Sequence, residues 1–397
     1  MSNSNTTNSK RHFLYRIDYA PVSVKDILIK MKNLASLMVG LAYYSILYDD
    51  RKLAKEVYNL EELVDFLNLQ LVMQASIATR SAKDAKRMIS VFRLASAIDK
   101  ISNAAADIAA IAFAKRRTKI MASAITSSRD MIARIKIRQG SSIVGKSLRE
   151  IHKMLDIVFD VIAVRRNTRW ILEPKSDFIV NLNDVLIVRG SEEAIELLRN
   201  VANDYKEQRK AVELLDKDII NDMIKLKEIS ELMVYLAYMS IMTRSAEISE
   251  YVLNLEDYVD NLYVKYMMDS IKSKSNLPSE DIVALLRIAT ATETIADAAA
   301  EIAEIIVRGL DPHPILTDVI QKGLEQIISV KVPNALNNVK VRELELENYG
   351  AHLLAIRRNS EWIVNPKGDE VLYEGDLLLI RCYEESANSI RQKFSKR

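Results

Sequence analysis

The residues in this chain best suited to chemistry are carboxylates at helical spacing. Glu256/Asp260 and Glu293/Asp297/Glu301 follow an i, i+4 pattern. On a helix that spacing places side chains on one face, about one turn apart. Two such helices side by side gather four or five oxygens, a donor set suited to hard cations. Glu256, Asp260, Glu293 and Asp297 are therefore candidate metal ligands. A second set, Glu61/Asp65 with Asp99/Asn103/Asp107, has one charge fewer because of Asn103. The competing reading of both sets is a polar layer or a solvated acidic face. Arginine supplies the other candidates, in the triplets Arg165-Arg166-Asn167 and Arg357-Arg358-Asn359. Guanidinium forks match phosphate and carboxylate geometry. These six residues are candidate contacts for a small anionic ligand. The competing reading is structural ion pairing with Asp177 and Asp369 or their neighbours.

Other chemistries lack support. The four histidines, His12, His152, His313 and His352, show no helical pairing, so neither a zinc-peptidase nor a Ser/His/Asp arrangement can be named. There is no G-x-G-x-x-G and no phosphate-binding glycine loop, so NAD or ATP loses its usual site. Cys382 is the only cysteine, which excludes a disulfide framework and suits a reducing cytoplasm. The net charge is +2, so no global field draws the chain to a nucleic acid polymer. The chain reads as non-enzymatic.

The elements that must position these residues are organised by an internal repeat. LMVGLAYYSI at 37–46 recurs as LMVYLAYMSI at 232–241, and YNLEELVDFL at 58–67 recurs as LNLEDYVDNL at 253–262. IAVRRNTRWILEPKSDFIVNLNDVLIVRG recurs as LAIRRNSEWIVNPKGDEVLYEGDLLLIRC. The period is near 195 residues, far longer than a solenoid unit, so a two-part module has been duplicated. With 397 residues the chain exceeds a single core, which rarely grows past roughly 250–300 residues.

Within each copy the first part is helical, with apolar residues at helical spacing and few breakers. Helices are expected near 24–48, 52–79 and 84–117, and near 218–243, 246–274 and 279–308. Alanines at 104–106 and 298–300 permit close helix approach. The second part carries short β-branched runs at 161–165 and 185–189, repeated at 353–357 and 377–381, each pair followed by a short helix. Trp170 and Trp362 read as core or interface anchors rather than base-stacking platforms. The fold class is α+β: two three-helix bundles alternating with two small α+β domains. The expected division is a disordered tail at 1–21, bundles at 22–125 and 212–310, and small domains at 126–208 and 311–397. The apolar run at 34–48 is 15 residues long, short of the about 20 needed to span a bilayer. Residues 22–117 carry net +5 and residues 216–309 net −8, so complementary potentials favour docking of one bundle on the other.

The pattern R-R-N-x-x-W-I-x-x-P-x-x-D, followed by a turn with Asp184 or Asp376 and a strand, resembles the TrkA-C (RCK-C) domain of potassium-transport regulators. Gly145-Lys146-Ser147-Leu148-Arg149-Glu150-Ile151 resembles that family's opening segment. The second copy departs there, with Asn338 in place of glycine. The paired acids on the helices resemble PhoU-type bundles. The whole is similar to archaeal fusions of PhoU-like and TrkA-C domains. The resemblance implies a regulator of potassium or other cation transport, cytoplasmic or peripheral at the membrane. It implies a ligand pocket at paired RCK-C domains, occupied by cyclic di-AMP in some members. It also implies a homodimer, a potassium channel or transporter as partner, and divalent, iron or zinc ions on the acids. The alternative it implies is a metal-binding PhoU-like regulator of phosphate transport.

Overall fold

The structure, a computed structural model, describes residues 21–47, 50–113, 131–155, 157, 159–167, 169–172, 174–205, 217–272, 278–322, 325–359 and 361–395. The expected tail lies outside them but for its last residue.

The first bundle contains α1 (Val24–Leu47), α2 (Arg51–Ala78) and α3 (Ala82–Ala110). Polar caps set its boundaries. The Asp50 carboxylate accepts the Leu53 N–H at 3.2 Å, and the Ser81 hydroxyl accepts that of Asp84 at 3.1 Å. Such caps satisfy donors that the helix leaves orphaned. A four-stranded sheet follows, built from β1 (Met131–Lys136), β2 (Phe159–Arg166), β3 (Arg169–Leu172) and β4 (Val185–Gly190). Its order is β1-β4-β2-β3, antiparallel throughout. Two helices, α4 (Leu148–Leu155) and α5 (Glu192–Ala202), belong to this domain.

The second copy repeats this plan. Its bundle is α6 (Lys217–Thr243), α7 (Ala246–Lys272) and α8 (Ser279–Val307). A short α9 (Ile315–Gln321) leads to β5 (Glu325–Lys331), β6 (His352–Arg358), β7 (Glu361–Val364) and β8 (Leu377–Tyr383), and α10 (Glu384–Ser395) ends it. The sheet order β5-β8-β6-β7 matches the first. Even the register shift recurs, at Val161/Ala163 and at Leu353/Ala355. The opening segments also correspond where the sequences diverge. Gly145 sits at φ 79° and Asn338 at φ 63°, and each donates its N–H to a matching carbonyl, Val180 or Leu372, at 2.8 Å. Asparagine tolerates the left-handed region better than most residues, so it replaces the glycine. The copies part afterwards, into α4 in one and a short 3₁₀ turn at Val341–Leu344 in the other.

One apolar core joins the parts. α3 packs on α8, with Ala105 and Ala299 fully buried. Arg93–Glu304 (2.8 Å) and Lys100–Glu301 rim this contact, each a cation of the first bundle on an acid of the second. The expected docking through charge is thus present within the chain, at the edge of an alanine seam. One face of each sheet joins the helical core, through Ile132, Ile162 and Ile187 and through Ile327, Leu354 and Leu379. The opposite face of the first sheet buries Ile135, Val161 and Val188 with Ile151 of α4 and Ile195 of α5. No helix among the described residues is long and apolar enough to cross a membrane.

Gly40 sits mid-helix in α1. A Cβ there would meet Ile162 Cδ1 at 3.5 Å and Ile132 Cδ1 at 3.8 Å, ordinary van der Waals contact. Glycine inside a helix costs about 0.5–1 kcal/mol relative to alanine. Gly40→Ala is therefore expected to stabilise the protein by that amount in urea denaturation. A loss of stability would show that the helix needs glycine here.

Candidate functional site

The arginine triplets end β2 and β6, and strand alternation sends neighbouring side chains to opposite faces. The three residues of a triplet therefore do not act together. Arg166 forms a fork on Asp184, with Nε at 3.0 Å and Nη2 at 2.7 Å, and Nη2 also donates to the Ile179 carbonyl. Arg358 does the same on Asp376, at 3.1 and 2.9 Å, and adds Glu370 and the Val371 carbonyl. Structural pairing thus holds for these two, but the partners are Asp184 and Asp376 rather than Asp177 and Asp369. Asp184 and Asp376 are the buried acids, at 1% and 4% exposure. Asp369 instead pairs with Arg342 at 2.8 Å.

Arg165 stacks over Trp170 and pairs with Asp50, the cap of α2, at 3.2 Å. The β2–β3 hairpin is thereby fastened to the first bundle. In the second copy the Trp362 N–H reaches Glu247 of α7 at 3.4 Å, and Arg357 stacks over Trp362. Arg357 is exposed and has no ion pair among the described residues. Both tryptophans pack against the helical core, as anchors. Asn167 and Asn359 take φ 56° and 48°; they are turn residues.

The acidic candidates converge in part. Glu256, Asp260 and Asp297 offer carboxylate oxygens that all lie within 4.8 Å of one another. Glu293 is not in that group, although it feels it. Burial, then the charges of Asp297, Asp260 and Glu256, push its carboxyl up to about 7. Burial and Asp65 similarly push Asp99 of the first bundle up to about 6. Crowded, half-buried carboxylates of this kind are relieved by a proton or by a cation.

The structure also holds a site that no motif announces. A cavity of about 350 Å³ lies where both bundles and both sheets meet, between α1, α6, β2 and β5. None of the six triplet residues lines it. Its polar lining includes Lys32, Asp160, Arg189, Lys227, Glu325 and Arg381. Arg189 of the first sheet pairs with Asp160 at 3.1 Å and with Glu325 of the second sheet. Arg381 of the second sheet also reaches Glu325, at 3.2 Å, and both guanidinium groups stack on Tyr383. Tyr235 of α6 donates to Glu325 at 2.6 Å. The two sheets therefore meet within one chain, over a shared glutamate. Burial alone would raise the Glu325 carboxyl, but Arg189 and Arg381 outweigh it and hold it well below the usual carboxylate range. Arg189 and Arg381 occupy one repeat position in otherwise apolar strands, VLIVRG and LLLIRC. That recurrence was the available sequence signal.

Comparison with known proteins assigns the parts. The PhoU domain family matches residues 28–112 and 223–306, and the TrkA-C domain family matches 132–203 and 326–395. No curated protein matches the chain. Among solved structures, PhoU from Pseudomonas aeruginosa is 14% identical at TM-score 0.41, covering 72% of this chain and 96% of that one. The phosphate transport system regulatory protein PhoU from Streptococcus pneumoniae is 12% identical at TM-score 0.40, covering 72% and 91%. The GsuK channel is 12% identical at TM-score 0.19, covering 68% and 54%. The family matches, not these distant likenesses, assign the domains. The chain is a duplicated fusion in which two PhoU domains alternate with two TrkA-C domains.

Proposed function

We propose that this chain is a non-enzymatic, ligand-sensing regulator of potassium or other cation transport. One observation supports it above others: each TrkA-C sheet shares a continuous apolar core with the PhoU bundles. A ligand that favours one placement of the sheets must then shift the bundles as well, through its differential affinity for the two states. The bundles are the surfaces offered to a channel or transporter. A small anion of the cyclic di-AMP type is the ligand the domain set suggests. Arg357 is the triplet arginine left to meet it, because Arg166 and Arg358 are committed to buried acids and Arg165 to Asp50. Calorimetry with cyclic di-AMP is expected to show binding that weakens at least roughly tenfold in Arg357→Ala. No heat with the unmodified protein would remove the dinucleotide from the proposal.

The cluster of Glu256, Asp260 and Asp297 favours a second reading, a metal-binding regulator of phosphate transport. Protein purified without chelator is then expected to carry a divalent or iron ion by elemental analysis. Asp297→Asn is expected to lose it. Metal-free protein whose melting point does not move on adding such ions would dismiss this reading.

A further inference from the structure

The duplication supplies an internal control for the central cavity, and the two copies differ at its wall. Where α6 carries Tyr235, the matching position of α1 is Gly40. Tyr235 fills its side of the junction and bonds to Glu325, whereas Gly40 puts no side chain there and faces Ile162 and Ile132 of the first sheet. Where α6 carries Glu231, the matching position of α1 is Ser36. Lys227 is therefore paired with Glu231 at 2.9 Å. Its repeat mate Lys32 has no ion pair among the described residues, although it is only 7% exposed. Its ammonium donates to two main-chain carbonyls, Glu325 at 3.1 Å and Ile320 at 3.4 Å. The nearby Glu325 carboxylate is already shared by Arg189 and Arg381.

We propose that this cavity is a binding site for a small molecule with one anionic head, carboxylate or phosphate, on an apolar body, and that Lys32 receives the head. This goes beyond the regulator described above, because the site excludes the arginine triplets and lies between bundles and sheets. Several features point the same way. The volume of about 350 Å³ falls within the roughly 300–1,000 Å³ of small-molecule sites. The remaining wall of α1 is largely apolar, with Leu37, Val39 and Gly40. A buried ammonium without a carboxylate is costly. Burial lowers the Lys32 ammonium to about 8, against the raising effect of Glu325, and an anion beside it would restore the charge. The sequence has kept that charge while dropping both the partner acid and the filling side chain.

The test is calorimetry on the full chain with octanoate, octyl phosphate and octanol as probes. The two anions are expected to bind, with octanol at least roughly tenfold weaker. Lys32→Met is expected to abolish that preference while its unliganded melting temperature stays equal or rises. A lysine serving the fold would instead lower it. Lys32→Gln, whose amide can still donate to a main-chain carbonyl, is expected to abolish the preference as well, which keeps the test decisive if Lys32→Met does not fold. Failure of both anions to bind, octanol binding as tightly, or an unchanged preference in Lys32→Met would each overturn the proposal. The cyclic di-AMP experiment is unaffected by any of these outcomes.

Discussion

Glu325→Ala is expected to cost about 3–5 kcal/mol, the penalty for stranding a buried charge by removing its partner. Arg189 and Arg381 converge on this one carboxylate; Arg189 keeps Asp160 at 3.1 Å after the change, so the cost falls chiefly on Arg381, which is 4% exposed. Equilibrium urea unfolding reads the effect. Replacing Arg381 by methionine in the Glu325→Ala background should recover part of the loss, because Glu325 no longer offsets its charge, whereas Arg189→Met should not, because Arg189 still holds Asp160. A loss under about 1 kcal/mol would mean that water reaches the cluster and screens it. The same carboxylate sets an acid limit. Its folded value is depressed, so its contribution is complete above the unfolded value of 4.5 and is lost as pH falls toward the folded value. Glu293 and Asp99 act in the opposite sense. Raised to about 7 and about 6, they contribute stability that is present below their unfolded values, 4.5 and 3.8, and lost as pH rises through 6–7. The melting temperature of metal-free protein is therefore expected to rise from pH 8 to about 5 and to fall below 4.5. A cation bound at Glu256, Asp260 and Asp297 would flatten the alkaline arm.

Arg358→Ala is the second large effect, about 3 kcal/mol. It leaves the Asp376 carboxylate, 4% exposed, with the Tyr373 N–H at 2.9 Å as its remaining contact among those described. It also frees the Val371 carbonyl and Glu370, which the same guanidinium holds. Lysine would not rescue it, because a point charge cannot reproduce a fork spanning both carboxylate oxygens and a carbonyl. The repeat mate Arg166→Ala should behave alike, since it has the same partners without a second acid. If either change alters ligand affinity without touching stability, these arginines serve recognition rather than the fold.

The bundles were legible because long amphipathic helices carry a strong periodic signal; expected and observed ends agree within a few residues except at α3, which ends at Ala110 while the expected end, 117, lies outside the described residues. The runs at β2, β4, β6 and β8 were legible because their Val, Ile and Leu repeat in both copies. β1 and β5 were not foreseen, nor were the short hairpin strands β3 and β7. β1 and β5 need a partner distant in sequence to declare themselves, as Lys331 pairs with Leu377, whereas β3 and β7 are only four residues long and fold back on β2 and β6. α9 was hidden by Pro312 and Pro314, which read as breakers, although Pro314 sits at the helix start. The triplets divide for a physical reason. Adjacent strand residues face apart, so Arg166 and Arg358 turn to buried acids while Arg165 and Arg357 lie on the other side, over Trp170 and Trp362. Three of the four candidate acids are gathered, because i, i+4 spacing puts Glu256 and Asp260 on one helix face and the neighbouring helix brings Asp297. The central cluster showed in the sequence only as the recurring Arg189 and Arg381; Lys32, Asp160 and Glu325 form no motif, and the tertiary arrangement brings them within reach.

Amide hydrogen exchange of the full chain, with and without cyclic di-AMP, tests most directly whether the sheets report to the bundles. The account predicts altered protection in the β6–β7 hairpin together with α1 and α6, which contact the sheets through Ile132, Ile162 and Leu354. Exchange that changes nowhere, or only at the hairpin, would contradict the relay on which the regulatory reading stands.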